Sequence, residues 1–415
     1  MSSKKMCSFI CTTRSFNNLS NVKSKLRGPD HTQKCKVGIY NIIHNLLDIS
    51  QATAIQPIIK GNQIVLFNGE IYKPYSSVDT ELILPLYQEW GHKFVNSING
   101  EYAIAIIDGE DIFLYSDIFG TKPLFYSIEG SDIGISTYSS ELSSLRFKRI
   151  KRVEPSTYIH INLSVGIFKI YRHSEFNLTE FKSSYHDCIQ AFESACRMRC
   201  SNRTAVGISS GHDSGSILQW CLDNEKGSFY YINTGKEDDY VMSYRKRKCL
   251  EKKLSYKEIN YYKNKEPFNC YERSILSEVM EGYEKYKDEP STLMISKLLR
   301  KVKSDGFSIF ISGQGGDEIV SNYIEKGTFF KDLKVQFPWR NFYCGDNRLF
   351  IDQFEYIGGA YGVEVRYPFL DREFVQEFLH LTLELKNKFY KSVIAEYLHL
   401  HNMPTKAQKV GFSMY

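Results

Sequence analysis

The apolar positions of this chain fall into two regimes. Up to about residue 165 they form short runs closed by turn residues, the pattern of strands. Gln63-Ile-Val-Leu-Phe67 is such a run and stops at Asn68-Gly69, a dipeptide that favours turns. The run 102–107 stops at Asp108-Gly109, and Ile112-Phe-Leu-Tyr115 follows, which predicts a hairpin. Leu82, Ile83, Leu86 and Tyr87 recur at helical spacing over residues 80–90, and Gly91 closes that helix. Many strands with few helices predict an assembly of antiparallel sheets.

From about residue 185 the pattern changes. Apolar runs at 205–208, 229–232 and 307–311 alternate with helical stretches. That alternation predicts a parallel α/β sheet with its sites at the carboxyl ends of the strands. The link at 165–185 is polar and unpatterned, so the expected domains are 7–165 and 185–415. A chain of 415 residues gives each its own core.

Two of the predicted strand ends carry chemistry. Ala205-Val-Gly-Ile-Ser-Ser-Gly-His-Asp-Ser-Gly-Ser216 reads as a buried strand, a tight turn and a helix start. Clustered N–H groups and the positive end of a helix dipole suit an anion there, and small side chains let phosphate approach the backbone. No Gly-Lys-Ser/Thr closes the loop, so it is not a Walker A motif. Ile311-Ser-Gly-Gln-Gly-Gly-Asp-Glu318 follows another strand, with three glycines around Gln314 and carboxylates beside them. Asp213 and Asp317, one from each loop, are the expected pair for a Mg²⁺ that bridges phosphate oxygens.

Charge and composition narrow the picture little. A net charge of +5 over this length gives no reason to expect nucleic-acid binding. Ten cysteines without a close Cys-x-x-Cys pair predict reduced thiols, no zinc site and a cytoplasmic setting. No apolar stretch has the length of a signal core or a membrane span, so neither is expected.

The motifs, taken together, resemble the asparagine-synthetase family, which includes β-lactam-forming and lasso-peptide-cyclising branches. Residues 209–214 are similar to the Ser-Gly-Gly-x-Asp-Ser loop of ATP pyrophosphatases, with Ser210 for the first Gly. Met6-Cys-Ser-Phe-Ile10, Leu26-Arg-Gly-Pro-Asp30, Phe67-Asn-Gly-Glu-Ile-Tyr72, Asp79-Thr-Glu81 and Asn99-Gly-Glu-Tyr-Ala-Ile-Ala105 match family segments in order. So do Phe119-Gly-Thr-Lys-Pro-Leu-Phe-Tyr126 and Gly362-Val-Glu-Val-Arg-Tyr-Pro-Phe-Leu-Asp371. The resemblance implies an N-terminal Ntn-hydrolase sandwich of antiparallel sheets that releases ammonia from glutamine. It implies a C-terminal parallel α/β domain of the ATP-pyrophosphatase (adenine nucleotide alpha hydrolase-like) type that adenylates a carboxylate, with an ammonia tunnel joining the two.

By the same resemblance Cys7 is the nucleophile, activated by its own α-amino group once it is the first residue. An α-amino group with a pKa near 8 can take a proton at neutral pH, and a peptide N–H cannot. Asn68 and Gly69 form the oxyanion hole, and Asn45, Asn68, Gly69, Glu70 and Asp79 hold glutamine. Ile208, Ser209, Ser210, Gly211, Asp213, Ser214, Ile232, Ser312, Gly313 and Gln314 border ATP, Asp213 and Asp317 take Mg²⁺, and Lys391 and Lys409 are catalytic.

The departures are specific. Met1 to Lys5 stand in front of Cys7, so translation starts at Met6, or the leader is cleaved, or the glutaminase half is inactive. Asn45 stands where the family grips the glutamine carboxylate with Arg, and cannot make that bidentate pair. Gln314 stands where asparagine-forming members often carry Glu, which moves that proton-accepting role elsewhere, Glu289 being one candidate. The chain stops just after Phe412, where many relatives continue. The leading expectation is a glutamine-dependent amidotransferase with aspartate as default acceptor, working on small molecules, with a homodimer as one assembly. Kept Cys7 favours it; the leader, Asn45 and Gln314 favour an ammonia-independent amide ligase on a larger carboxylate. A non-catalytic binding protein would have no need of Asp213, Asp317 and Lys409.

Overall fold

The computed structural model describes residues 5–17, 19–20, 22–48, 55–76, 78–260, 275–276, 280–283, 289–321, 330 and 337–405. The chain divides into two compact units: residues 1–175 with 278–282 and 358–363, and residues 176–277 with 283–357 and 364–415.

The strands of the first unit are β1 (Lys5–Thr12), β2 (His31–Val37), β3 (Tyr40–Asp48), β4 (Ile58–Lys60), β5 (Gln63–Lys73) and β6 (Asn99–Asp108). They continue with β7 (Asp111–Ser116), β8 (Phe125–Glu129), β9 (Asp132–Ser136), β10 (Lys151–Arg152), β11 (Thr157–Asn162) and β12 (Ile167–Arg172). The order is β10-β8-β9-β1-β5-β6-β7-β11-β12, with β2 and β3 beside β1 and β4 beside β5. Every pairing is antiparallel, and the two halves of this order meet at one register contact, Lys5 opposite Gly69.

Alternate positions explain why the halves pack face to face. Phe9, Ile42 and Ile135 from one half meet Leu66, Ala105 and Leu114 from the other. The residues between them point outwards: Val65, Ile104 and Phe113 with Ile83 and Leu84 of the helix Asp79–Trp90, and Ile10 and Ile43 with Leu142 of the helix Ser139–Ser144. With both faces buried, β6 reads as an unbroken apolar run. The result is an α+β sandwich of two sheet layers between helices.

One expected turn is absent. The run at 63–67 does not end at Asn68-Gly69; β5 continues to Lys73, and β6 matches it residue for residue from Asp108 back to Gly100. Gly69 has φ +136°, and a Cβ there would lie 2.0 Å from the Glu101 carbonyl oxygen. Glycine serves here to let two strands approach, not to reverse the chain.

The second unit holds a parallel sheet in the order β15-β14-β13-β16-β17: β13 (Ala205–Ile208), β14 (Ser228–Asn233), β15 (Tyr256–Asn260), β16 (Ile309–Ile311) and β17 (Glu364–Arg366). Helices His212–Asp223, Asp239–Glu251 and Pro290–Ser304 alternate with these strands, as in a doubly wound α/β sheet. β13 lies between β14 and β16, so the loops leaving β13 and β16 are neighbours at the carboxyl edge. Their sequences are the two glycine- and serine-rich segments singled out above.

Candidate functional site

In the first unit Cys7 is fully buried on β1. Its backbone N–H donates to Asn68 Oδ1 at 3.1 Å, and Gln56 Nε2 lies 3.9 Å from its Sγ. Gln56 itself is locked: its Nε2 donates to the Phe67 carbonyl at 3.1 Å and its Oε1 accepts from the Phe67 N–H at 2.7 Å. Arg27, fully buried, donates from Nε to the Cys7 carbonyl at 3.2 Å. The strand does not begin at the cysteine, since Met6 pairs with Leu47 and Lys5 with Asp48 and Gly69. The nitrogen of Cys7 is therefore a peptide nitrogen, which has no basic lone pair.

Asn68 is fully buried, and among the described residues its Nδ2 has no hydrogen-bond partner. A buried donor left unmade costs about 1–3 kcal/mol. Asp79, at the start of the helix Asp79–Trp90, accepts from the Ile71 N–H at 3.0 Å through Oδ2. Glu70 is buried opposite Glu101. Cys7, Asn68 and Gly69 thus come together at the β1–β5 junction. Asn45, on β3 opposite Ser8, is occupied otherwise: it accepts from Thr32 Oγ1 at 2.8 Å and donates to Ser8 Oγ at 3.4 Å.

In the second unit, charges from three segments meet. Lys391 Nζ lies 2.5 Å from Asp213 Oδ2 and 2.8 Å from Asp317 Oδ1. Burial opposes the ammonium charge, but the carboxylates of Asp213 and Asp317 outweigh it and hold the Lys391 pKa well above its ordinary value. Tyr390 donates to Asp317 Oδ1 at 3.0 Å. Close packing of the two loops requires glycine: a Cβ on Gly316 would lie 2.4 Å from Asp213 Oδ1, and one on Gly313 would lie 3.2 Å from the Asp213 Cβ.

The loop at 209–214 is stiffened from within. Ser209 N–H donates to Ser214 Oγ at 3.0 Å, and Gly211 N–H donates to Ser209 Oγ at 3.3 Å. Gly211 is the N-cap of the helix His212–Asp223, and no side chain caps that end. From outside, the buried Arg245 donates to the carbonyls of Ser209 and Gly211, the latter at 3.1 Å. Burial lowers the Arg245 pKa to about 10. Ser210 meets a carboxylate: its N–H donates to Glu237 Oε2 at 2.8 Å, and its hydroxyl donates to the same oxygen. A carboxylate of the chain's own thus accepts hydrogen bonds where phosphate was expected.

Burial lowers the His212 pKa to about 4, with Lys391 and Arg245 adding to the shift, so this imidazole is neutral at pH 7. Glu318 is buried beside Asp317; burial first and that neighbour second raise its pKa to about 7. Gln314 follows Ser312, whose Oγ accepts from the Gln314 N–H at 3.2 Å. Ile208 and Ile232 are buried at the ends of β13 and β14. Glu289 is exposed at the N-cap of the helix Pro290–Ser304. Lys409 lies outside the described residues. Among the described residues no group of three or more His, Cys, Asp or Glu side chains could hold a metal ion. No described helix is long and apolar enough to cross a membrane.

Sequence reasoning missed Arg245, Glu237, Gln56 and Arg27. Only Gly215 hinted at the first, since a Cβ there would lie 2.3 Å from Arg245 Nη2. Arg27 lies in the Leu26-Arg-Gly-Pro-Asp30 segment that resembles the family, but the segment did not reveal its contact with Cys7; Glu237 and Gln56 carry no such signal.

The description of a glutamine amidotransferase domain matches residues 6–204. A putative glutamine-hydrolysing asparagine synthetase of Methanocaldococcus jannaschii is 25% identical over 84% of this chain and 71% of its own length. Glutamine-hydrolysing asparagine synthetases of Asparagus officinalis and Gallus gallus are 25% and 26% identical, over 87% and 92% of this chain. The chain spans 66% and 76% of the lengths of these two. A solved structure of the allosteric regulatory enzyme of purine biosynthesis overlaps 50% of this chain and 55% of its own at 15% identity, with a TM-score of 0.30.

Proposed function

From the premise that this chain belongs to the asparagine synthetase family, we propose that it is an ATP-dependent carbon–nitrogen ligase that amidates a carboxylate with ammonia drawn from glutamine. L-Aspartate is the acceptor the relatives' names favour. The observation that carries the synthetase reading is the meeting of Asp213, Asp317 and Lys391 where two loops more than a hundred residues apart in sequence converge. One ammonium and two carboxylates at the carboxyl edge of a parallel sheet suit a metal-bound triphosphate.

The donor set fits Mg²⁺: Asp213 and Asp317 would hold it, and the metal would neutralise phosphate charge. The first-turn N–H groups after Gly211 would take phosphate oxygens at a helix end that no side chain caps. Ser210 would release Glu237 to do the same. Lys391, and Lys409 by family likeness, would offset the negative charge that grows as pyrophosphate leaves the α-phosphate. Attack of the carboxylate on that phosphorus forms an acyl-adenylate; attack of ammonia on its carbonyl carbon releases AMP.

In the other unit the Cys7 thiolate would attack the glutamine amide carbon, with its own freed α-amino group as base. The unpaired Asn68 Nδ2 and the Gly69 N–H would receive the oxyanion. Asp79 would hold the glutamine ammonium. Asn45, spent on Thr32 and Ser8, leaves no charged grip on the glutamine carboxylate from that position. The proposal is tested by product analysis with glutamine, ATP, Mg²⁺ and aspartate. AMP, pyrophosphate, glutamate and asparagine should appear in equal amounts. ADP and phosphate would remove the adenylation chemistry, and AMP without asparagine would remove aspartate as acceptor.

A further inference from the structure

Glu281 stands apart from both candidate sites. It lies in the short segment 278–282, which belongs to the first unit although the chain on either side belongs to the second. The carboxylate is 7% exposed and saturated with donors. Oε2 accepts from the Ser139 N–H at 2.7 Å and its hydroxyl at 2.8 Å. Oε1 accepts from the Ser140 N–H at 3.1 Å, the Ser140 hydroxyl and Lys23 Nζ at 3.0 Å. Such charge-assisted bonds, made inside the protein, are the strong ones.

Two of these partners, Lys23 and Ser139, lie on segments that reach the Arg27 that holds Cys7. Lys23 belongs to the helix Val22–Arg27, whose last residue donates to the Cys7 carbonyl at 3.2 Å. The same helix offers the Ser24 carbonyl to the Ser8 hydroxyl at 2.8 Å. Ser139 follows Tyr138, whose hydroxyl borders Gly359 together with Arg27 Nη1. The second excursion into this unit, residues 358–363, seals the cluster: a Cβ on Gly359 would lie 2.6 Å from the Tyr138 hydroxyl and 3.2 Å from Arg27 Nη1.

We infer that Glu281 is a positioning residue for the Cys7 nucleophile. It ties the helix Val22–Arg27 and the 138–140 segment together, and so fixes the guanidinium that holds the Cys7 carbonyl. The glutaminase geometry is thereby completed by a segment that the sequence places inside the other half of the chain. This rests on the reading of Cys7 as nucleophile.

The test compares the full chain with its Glu281→Ala, Glu281→Gln and Lys23→Met variants in three readouts. Misplacement of a reacting group by about an ångström costs up to ~100-fold in rate, so Glu281→Ala should lower glutaminase kcat by about tenfold or more with KM little changed. Glu281→Gln, which keeps one accepting oxygen, should recover part of the loss, and Lys23→Met should fall in the same direction by less. Pyrophosphate release with free ammonia should stay as in the unaltered chain. The third readout is alkylation by iodoacetamide, scored as Cys7 against Cys11, both fully buried on the same strand. The ratio should rise in Glu281→Ala. An unchanged ratio with unchanged kcat, an equal rise at both cysteines, or an equal loss of the ammonia-driven reaction would overturn the role. If the unaltered chain turns over no glutamine, the Cys7 reading fails, while the alkylation ratio still decides whether Glu281 positions that residue.

Discussion

The two candidate sites are built by opposite means. In the first unit Cys7 sits inside a strand, beside the side-chain amides of Asn68 and Gln56 and the guanidinium of Arg27. In the second unit the site is three charges at the starts of three helices, and each carboxylate is held by the same ammonium. Under the proposed function, the first site waits on a covalent event, the freeing of the Cys7 nitrogen. A site made of opposed charges is assembled as the chain folds, and its chemistry waits only on substrate. Under the proposed function, the first unit's chemistry would wait on exposure of the Cys7 amine and the second's on substrate alone.

That contrast is sharpest at the Cys7 nitrogen. A chain that begins at Cys7 should hydrolyse glutamine about 10²–10⁴ times faster than one that keeps residues 1–6, because a general base contributes rate of that order. Steady-state glutamate release from the two forms measures it. Both forms should make pyrophosphate equally well with free ammonia. Equal glutaminase rates would mean that the base lies elsewhere.

Lys391→Met breaks the comparison from the other side. Loss of one preorganised charge typically costs about 10²–10³ in rate, so AMP release should fall by that much while glutamate release persists. The methionine also leaves Asp213 and Asp317 facing each other without their ammonium. Added Mg²⁺ should restore the variant's thermal stability more than that of the unaltered chain, which a melting curve with and without the ion reads.

A smaller effect is a pH dependence to which each unit contributes one buried glutamate, Glu141 in the first and Glu318 in the second. Glu141, fully buried beside Ser136, has its pKa raised from 4.5 to about 7, by burial foremost and by nearby Glu281. Between those values the folded chain binds a proton that the unfolded chain releases, so its stability drops as pH rises from 4.5 to 7. The upper bound is about 3 kcal/mol at one pKa unit per 1.36 kcal/mol. Glu141→Gln should flatten that part of the melting-temperature profile. A profile as steep as before would assign the slope to other groups.

What the sequence disclosed follows the same line. Segments whose meaning is local were legible: the helix ending at Gly91, the 108–111 hairpin, and the two loops after β13 and β16. Asn68-Gly69 misled because a glycine that permits close strand approach is spelled like a glycine that permits a turn. Lys391 was legible only through family likeness; alone, it is one lysine between Tyr390 and Ser392 with a left-handed backbone. Glu281 was not legible at all, since its hydrogen-bond partners Ser139 and Ser140 lie 142 and 141 residues away. Contacts of that separation are fixed by packing and leave no pattern in the neighbouring residues.

The central claim, that the paired loops activate a carboxylate on the α-phosphate of ATP, is tested most directly with aspartate labelled with ¹⁸O in its side-chain carboxylate. Carboxylate attack transfers one of those oxygens to the phosphorus that becomes AMP. Mass spectrometry of the products should therefore find ¹⁸O in AMP and none in pyrophosphate. Label in inorganic phosphate alongside ADP, or unlabelled AMP accompanying labelled asparagine, would contradict it.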